Sequence, residues 1–149
     1  MEAHLSAVIL LLILCSIDVK AQPAHIKPRY EKFLNQHVDV QMNDQRCSSE
    51  MKKRHITEGQ TNKCKIFNTF ITAQKQELRK VCNGAGQSYK GSARMYVSNQ
   101  PFPLVTCKLQ SGDRYPNCVY SGKSSTRYIV VACDKKWPIH YDGDIIATI

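Results

Sequence analysis

CKIFNTFI, residues 64–71, decides how this chain is read, because it sets a lysine, an asparagine and a threonine inside an otherwise apolar, strand-forming run. On an extended chain alternate side chains share a face, so Lys65, Phe67 and Thr69 are expected on one side and Ile66, Asn68 and Phe70 on the other. A cation, a ring and a hydroxyl on one surface form a floor for a phosphate beside a flat ring, since lysine is a compact point charge and threonine both donates and accepts. The same octet also suits an edge strand whose lysine keeps the edge soluble. Both readings stand on these eight residues.

Upstream, residues 28–38 carry Tyr30, Phe33, Leu34 and Val38 at helical spacing, with Pro28 suited to the first turn. His37 falls on this stripe, where a histidine is ordinarily a half-buried core residue. A second helix is expected from near Asp44 toward Lys53, and a third from Thr72, as cap, through Leu78 to Cys82. CNGAGQSYKG, residues 82–91, reads as a flexible turn. Beyond it come short β-prone runs at 94–98, 104–109, 118–120, 127–132 and 138–141. Helices early and antiparallel strands late argue for an α+β domain, a curved antiparallel sheet with three helices at its edges. The chain shows no repeat, glycine-rich phosphate loop or coiled coil.

Residues 1–21 read as a cleaved signal peptide. The apolar run at 7–17 is too short to span a bilayer, and Val19-Lys20-Ala21 puts small residues where a signal peptidase reads. The expected product is a secreted domain, residues 22–149. Losing the leader removes Lys20, Glu2 and Asp18, which raises the formal charge from +9 to +10. Such an excess on a small domain points to a polyanion as partner: nucleic acid, heparan sulfate or an anionic membrane. Cys15 leaves with the leader, and Cys47, Cys64, Cys82, Cys107, Cys118 and Cys133 remain. Their even number in an oxidising compartment reads as three disulfides, and none of their gaps suits paired zinc ligands. Fifteen connectivities stay open on counting alone. Neither a metal nor a cofactor is called for.

Three segments together resemble the secreted pancreatic-type ribonuclease superfamily of vertebrates. CKIFNTFI matches its CKxxNTF signature, FLNQHVD (residues 33–39) stands near the start of the mature chain, and PIHYDG (residues 138–143) near its end. The resemblance covers nearly all of the chain after residue 25. It implies a ribonuclease A-like fold in which Cys47 joins Cys107, Cys64 joins Cys118 and Cys82 joins Cys133, each bond closing a long loop and contributing ~2–4 kcal/mol. It also implies a reaction. RNA brings its own nucleophile, the 2′-hydroxyl, so a protein need only take that proton, stabilise charge at phosphorus and protonate the leaving 5′-oxygen. Histidine suits both proton steps, because an imidazole of pKa ~6.5 exists in either form near neutrality.

By this resemblance His37 is the base, His140 the acid and Lys65 the fixed cation, with products passing through a 2′,3′-cyclic phosphate. Gln36 and the backbone of Tyr141 would donate to phosphate oxygens. Asp142, two residues beyond His140, would share its strand face and hold the second imidazole nitrogen. Thr69 resembles the family's pyrimidine reader, with Phe67 beside it and Asn68 in the same substrate-binding motif. Asp134 matches an acidic position used toward the downstream base, and Lys32 would meet a neighbouring phosphate. His25 and His55 match nothing catalytic and are expected at the surface.

The chain departs from the pancreatic enzymes in having no cysteine between residues 83 and 93, where they carry a fourth disulfide. In this it is similar to the angiogenin subgroup. There a glutamine after the aspartate of the last motif partly blocks the pyrimidine pocket. Here the position is Gly143, which leaves residues 144–149 as the segment able to cover the pocket. Lys52, Lys53 and Arg54 lie where that subgroup carries a basic cluster for nuclear entry and polyanion binding. The implied partners are RNA, heparan sulfate or an anionic bacterial surface, and a ribonuclease inhibitor, for a protein acting as a monomer. A cationic effector with incidental ribonuclease activity is the competing class.

Overall fold

The computed structural model describes residues 22–146; the expected leader, residues 1–21, lies outside them, as do residues 147–149. Helix α1 spans Lys27–His37, with Pro28 in its first turn and Tyr30, Phe33 and His37 buried along one stripe. A 3-10 turn, Asp44–Arg46, leads into α2, Cys47–Lys53, and α3 spans Lys75–Val81. The expected cap at Thr72 is replaced. Its hydroxyl and its N–H both donate to the Pro103 carbonyl, so the chain stays extended until Gln74, which precedes the helix without a side-chain capping bond.

Six strands follow the order β1-β4-β5-β3-β2, with β6 also paired to β5, and every pair is antiparallel. They are β1 (Phe67–Ile71), β2 (Gly86–Ser88), β3 (Met95–Ser98), β4 (Phe102–Ser111), β5 (Val119–Asp134) and β6 (Trp137–Ile145). Two expectations are corrected. The stretch 82–91 contains β2, paired Gly86↔Ser98 through Ser88↔Tyr96, because a glycine-rich sequence can still ladder against a firm neighbour. Runs 118–120 and 127–132 are one strand, since the polar residues between them pair with β4 while facing water. Gly122 sits in that polar run with the backbone of Asp44 directly against it, a space that a Cβ would fill.

Strand β5 serves two partners in succession. Its first half pairs with β4; from Tyr128 onward it pairs with β6 on one side and β3 on the other. The core divides accordingly. Ile26, Tyr30, Phe33, Ile71, Leu78, Leu104, Ile129 and Val131 form one cluster, and Met42, Met51, Ile56, Phe70, Val105 and Tyr120 form the other. Strand β1 feeds both, with Phe70 in one and Ile71 in the other. The three disulfides join Cys47 to Cys107, Cys64 to Cys118 and Cys82 to Cys133 with Cα separations of 5.6, 5.7 and 5.7 Å, the pairing the resemblance implied.

Strand β1 is an edge, and an edge presents unpaired carbonyls that need partners. The segment leaving α1 supplies one: the N–H of Asp39 donates to the Ile71 carbonyl at 3.1 Å, and Val38 bridges to Ile71. The last turn of the helix is thereby laid along the strand that carries Thr69.

Candidate active site

That docking fixes His37. Its Nδ1 lies 2.8 Å from the Thr69 carbonyl, an oxygen that can only accept, so in the neutral ring Nδ1 carries the proton and Nε2 keeps the lone pair. The ring has Phe33 tilted against it at 5.9 Å and Tyr141 stacked on it at 5.1 Å and 30°, and the residue is 6% exposed. Burial is the largest influence on it and lowers its pKa to about 4; the bond to Thr69 opposes this, while Lys65 and His140 add to it. At neutral pH His37 is therefore an uncharged base.

Lys65 is not on the strand, which begins at Phe67, so the two-residue alternation expected from residue 64 does not hold. Cys64 is tied by its disulfide and by its N–H to the Asp113 carbonyl, and the Tyr120 hydroxyl donates to the Lys65 carbonyl at 2.6 Å. These ties turn Lys65 onto the side occupied by Asn68. Lys65 Nζ donates to Asn68 Oδ1 at 2.9 Å, and Asn68 Nδ2 donates to the Gln36 carbonyl at 2.8 Å. Asn68, expected among the substrate-binding residues, thus uses both polar atoms within the protein. Burial depresses the pKa of Lys65, with Glu58 working against that shift and Lys32 adding to it.

His140, exposed on β6 opposite Ala132, completes the group. A cleft of 190 Å³ is lined by Lys32, Gln36, His37, Lys65 and His140, with Phe33, Thr57, Gly59 and Ile139. A second lobe of 210 Å³ shares Gln36, His37, Lys65 and His140 and adds Phe67, Asn68, Thr69 and Tyr141. Two imidazoles and an ammonium therefore border both lobes. One neutral ring can accept a proton, the second can give one, and the cation faces charge developing between them.

The remaining expected residues divide. Phe67 is 55% exposed, opposite Lys108, and forms a flat wall of the second lobe. The Thr69 hydroxyl lies 3.4 Å from that of Thr106, a cross-strand pair that strand register creates and spacing along the sequence does not announce. Asp142 does not hold His140. The register passes from Val131↔Tyr141 to Val130↔Gly143, so Asp142 is the extra residue of a bulge, its side chain exposed and without a hydrogen bond to His140 among the described residues.

Asp134 lines neither lobe; it accepts from Arg29 at 2.9 Å. Asp144 is held in strand register opposite Ile129 and accepts from Arg127 and from the Tyr141 hydroxyl, each at 2.9 Å. It stays with the sheet; residues 147–149 lie outside the described residues. Of the basic cluster, Lys52 and Lys53 are exposed, whereas Arg54 forms ion pairs with Glu50 at 2.8 Å and Asp39 at 3.0 Å and donates to the carbonyls of Asn35 and Val38. The three-cation patch is thus corrected to two lysines, because the third charge holds α1 and α2 together. His25 is exposed, and His55 is exposed with its ring 3.9 Å from that of Tyr115. Thr57 and Gly59 escaped the sequence reading, since nothing marks a loop residue that merely borders a cleft. Among the described residues no three His, Cys, Asp or Glu side chains gather as metal ligands.

The sequence pattern of the pancreatic ribonuclease family matches residues 28–142. Ribonuclease-like 3 of Danio rerio is 46% identical over 142 residues, covering 95% of this chain and 95% of that protein. Angiogenin-4 of Mus musculus is 40% identical over 122 residues, 80% of this chain and 81% of that protein. Among solved structures, zebrafish RNase5 superposes with a TM-score of 0.78 at 53% identity, over 82% of this chain and 98% of that one.

Proposed function

The chain belongs to the pancreatic ribonuclease family, and from that premise we propose that it is a secreted endoribonuclease cleaving RNA on the 3′ side of pyrimidines. One observation carries this reading: His37, Lys65 and His140 line the same cleft from three separate segments of the chain. In the proposed reaction Nε2 of His37 takes the proton of the 2′-hydroxyl, whose oxygen attacks phosphorus in line. Lys65, held by Asn68, faces the added negative charge, with Gln36 and the Tyr141 N–H donating to phosphate oxygens. Protonated His140 gives its proton to the departing 5′-oxygen, leaving a 2′,3′-cyclic phosphate. Each proton lost by one imidazole is matched by one gained by the other, so the step needs no metal.

Thr69 reads the base through its backbone N–H and its hydroxyl, with Phe67 as the wall of the pocket. Lys32, bordering the other lobe, meets a neighbouring phosphate. The test is cleavage of four dinucleotides, differing in the 5′ base, by the oxidised protein of residues 22–149 in EDTA. Cleavage of the uridine and cytidine substrates alone, lost in His140→Ala, is the expected result. Equal cleavage of purine substrates removes the specificity claim, and dependence on added metal removes the mechanism.

The formal charge of +9 and the similarity to a protein named angiogenin support a second reading, in which a cationic surface also engages heparan sulfate, a bacterial envelope or a receptor, with uptake to the nucleus. A His140→Ala protein that keeps such an activity while losing RNA cleavage separates the two.

A further inference from the structure

We propose that Asp144 is a positioning residue for the catalytic base, acting through the Tyr141 phenol and anchored from behind by Arg127. The proposal rests on the reading of His37 as the base. Asp144 Oδ1 accepts from Arg127 on β5 at 2.9 Å, and its other oxygen, Oδ2, accepts the Tyr141 hydroxyl at 2.9 Å. The ring of Tyr141 is the face against which His37 stacks, at 5.1 Å. Arg127, Asp144, Tyr141 and His37 thus form one line of contacts, from the middle of β5 to the imidazole. Asp144 is 20% exposed at its side chain, and Arg127 is 36% exposed, so the carboxylate is held in a partly dry site, where a charge-assisted hydrogen bond is strong.

A phenol has a polar tip that must be satisfied when its ring is buried. Here that tip donates to one anchored carboxylate, with the Thr69 side chain also beside it, and the anchor sets where the ring lies. Burial comes first among the causes that push the Tyr141 phenol above its ordinary range, and Asp144 comes next; the phenol therefore remains a proton donor to the carboxylate at every working pH. With the ring fixed, water is kept from the face of His37 that it covers, and Phe33 lies tilted against the imidazole at 5.9 Å. The lone pair on Nε2 is left facing the cleft. Charged and titratable groups reach His37 from every element around it: Lys65 from the segment before β1, His140 and Tyr141 from β6, and Lys32 from its own helix. Of these only Tyr141 bonds Asp144, and Tyr141→Phe alters no charge, so a His37 shift in that variant reports the ring.

The experiment compares the oxidised protein with Asp144→Ala, Tyr141→Phe and the double variant, following the His37 ring by NMR titration alongside the pH profile of kcat/KM on a uridine dinucleotide. Each single change is expected to raise the His37 titration by about one pH unit toward the unperturbed value, through added solvation, and to move the acid limb of kcat/KM by the same amount. The double variant should shift no further than either single one, because both remove the same constraint. Asp144→Asn, which keeps an acceptor for the phenol, should recover most of the wild-type value. Unmoved His37 titration in Tyr141→Phe, a variant that loses one oxygen and keeps the fold, overturns the proposal, as do shifts that simply add. If the wild type cleaves no RNA while the titrations move as described, the ribonuclease reading fails and His37 is no catalytic base, although Asp144 and Tyr141 still hold its ring.

Discussion

The side-chain amide of Asn68 donates to the carbonyl of Gln36, the residue before His37, at 2.8 Å. Its other end accepts from Lys65 at 2.9 Å. One planar amide therefore sets the distance between the segment bearing Lys65 and the helix bearing His37, and it is 2% exposed. Asn68→Ala should leave the Gln36 carbonyl and the Lys65 ammonium without that partner, costing about 1–3 kcal/mol of stability for the buried bonds lost. Because Lys65 then has several rotamers, kcat should fall by about tenfold or more, with a smaller change in KM. Steady-state kinetics on a dinucleotide decides it; a loss confined to KM would assign Asn68 to substrate binding.

The buried, neutral His37 gives a stability signature. Its folded pKa of about 4 lies below the ~6.5 of an unfolded imidazole, so between those values the unfolded chain binds the extra proton and stability rises with pH. The contribution is complete above about pH 6.5 and is lost as pH falls toward 4, amounting to roughly 3 kcal/mol at ~1.4 kcal/mol per pKa unit. Urea unfolding of the wild type and of His37→Gln at pH 4 and pH 7 isolates it: the variant should lose less on acidification, by about that amount. Parallel losses would mean the ring is solvated in the folded protein.

Arg54 separates the fold from the surface charge. It is bound to Glu50, Asp39 and two α1-side carbonyls, and burial, which alone would raise Glu50, is outweighed by Arg54 and Arg46, leaving its pKa below the ordinary value. Arg54→Ala should therefore lower stability by about 2–4 kcal/mol, since it leaves buried carboxylates short of a partner. Lys52→Ala and Lys53→Ala, both exposed, should each change it by less than about 0.5 kcal/mol. Thermal melts settle this, and any polyanion-binding measurement should use the two lysine variants alone.

Much of this was legible in the chain because local chemistry governed it. The stripe of Tyr30, Phe33 and His37 has one period, which announced the helix, and CKIFNTFI announced an edge strand, although its lysine lies before that strand. What failed was everything decided by register. The Asp142 carboxylate misses His140 because a single extra residue sits between Tyr141 and Gly143, and no alternation rule can locate a bulge. Thr106, Arg127 and Asp144 matter only because β4, β5 and β6 bring them beside Thr69 and Tyr141. Arg54 looked like its neighbours, Lys52 and Lys53, until the folded chain placed two carboxylates beside it. The disulfide pairing came through the family resemblance, since counting left every connectivity open.

The Cys64–Cys118 bond offers a last distinction, between holding the fold and holding the site. All three disulfides close loops of similar size, with sequence separations of 60, 54 and 51 residues, so loop-closure entropy predicts similar losses of about 2–4 kcal/mol on removing any one. Their neighbours differ. Cys64 is covalently next to Lys65, and Cys118 lies two residues from Tyr120, whose hydroxyl fixes the Lys65 carbonyl at 2.6 Å. Cys82 and Cys133 tie the end of α3 to β5; neither lines a lobe of the cleft or adjoins Lys65. Cys64→Ala/Cys118→Ala and Cys82→Ala/Cys133→Ala should then melt at comparable temperatures. Only the first pair should lose kcat, by about tenfold or more, when both are assayed well below their melting points. Equal losses of kcat would place the origin of the effect in global loosening, and the short path from Cys64 to Lys65 would carry no special weight.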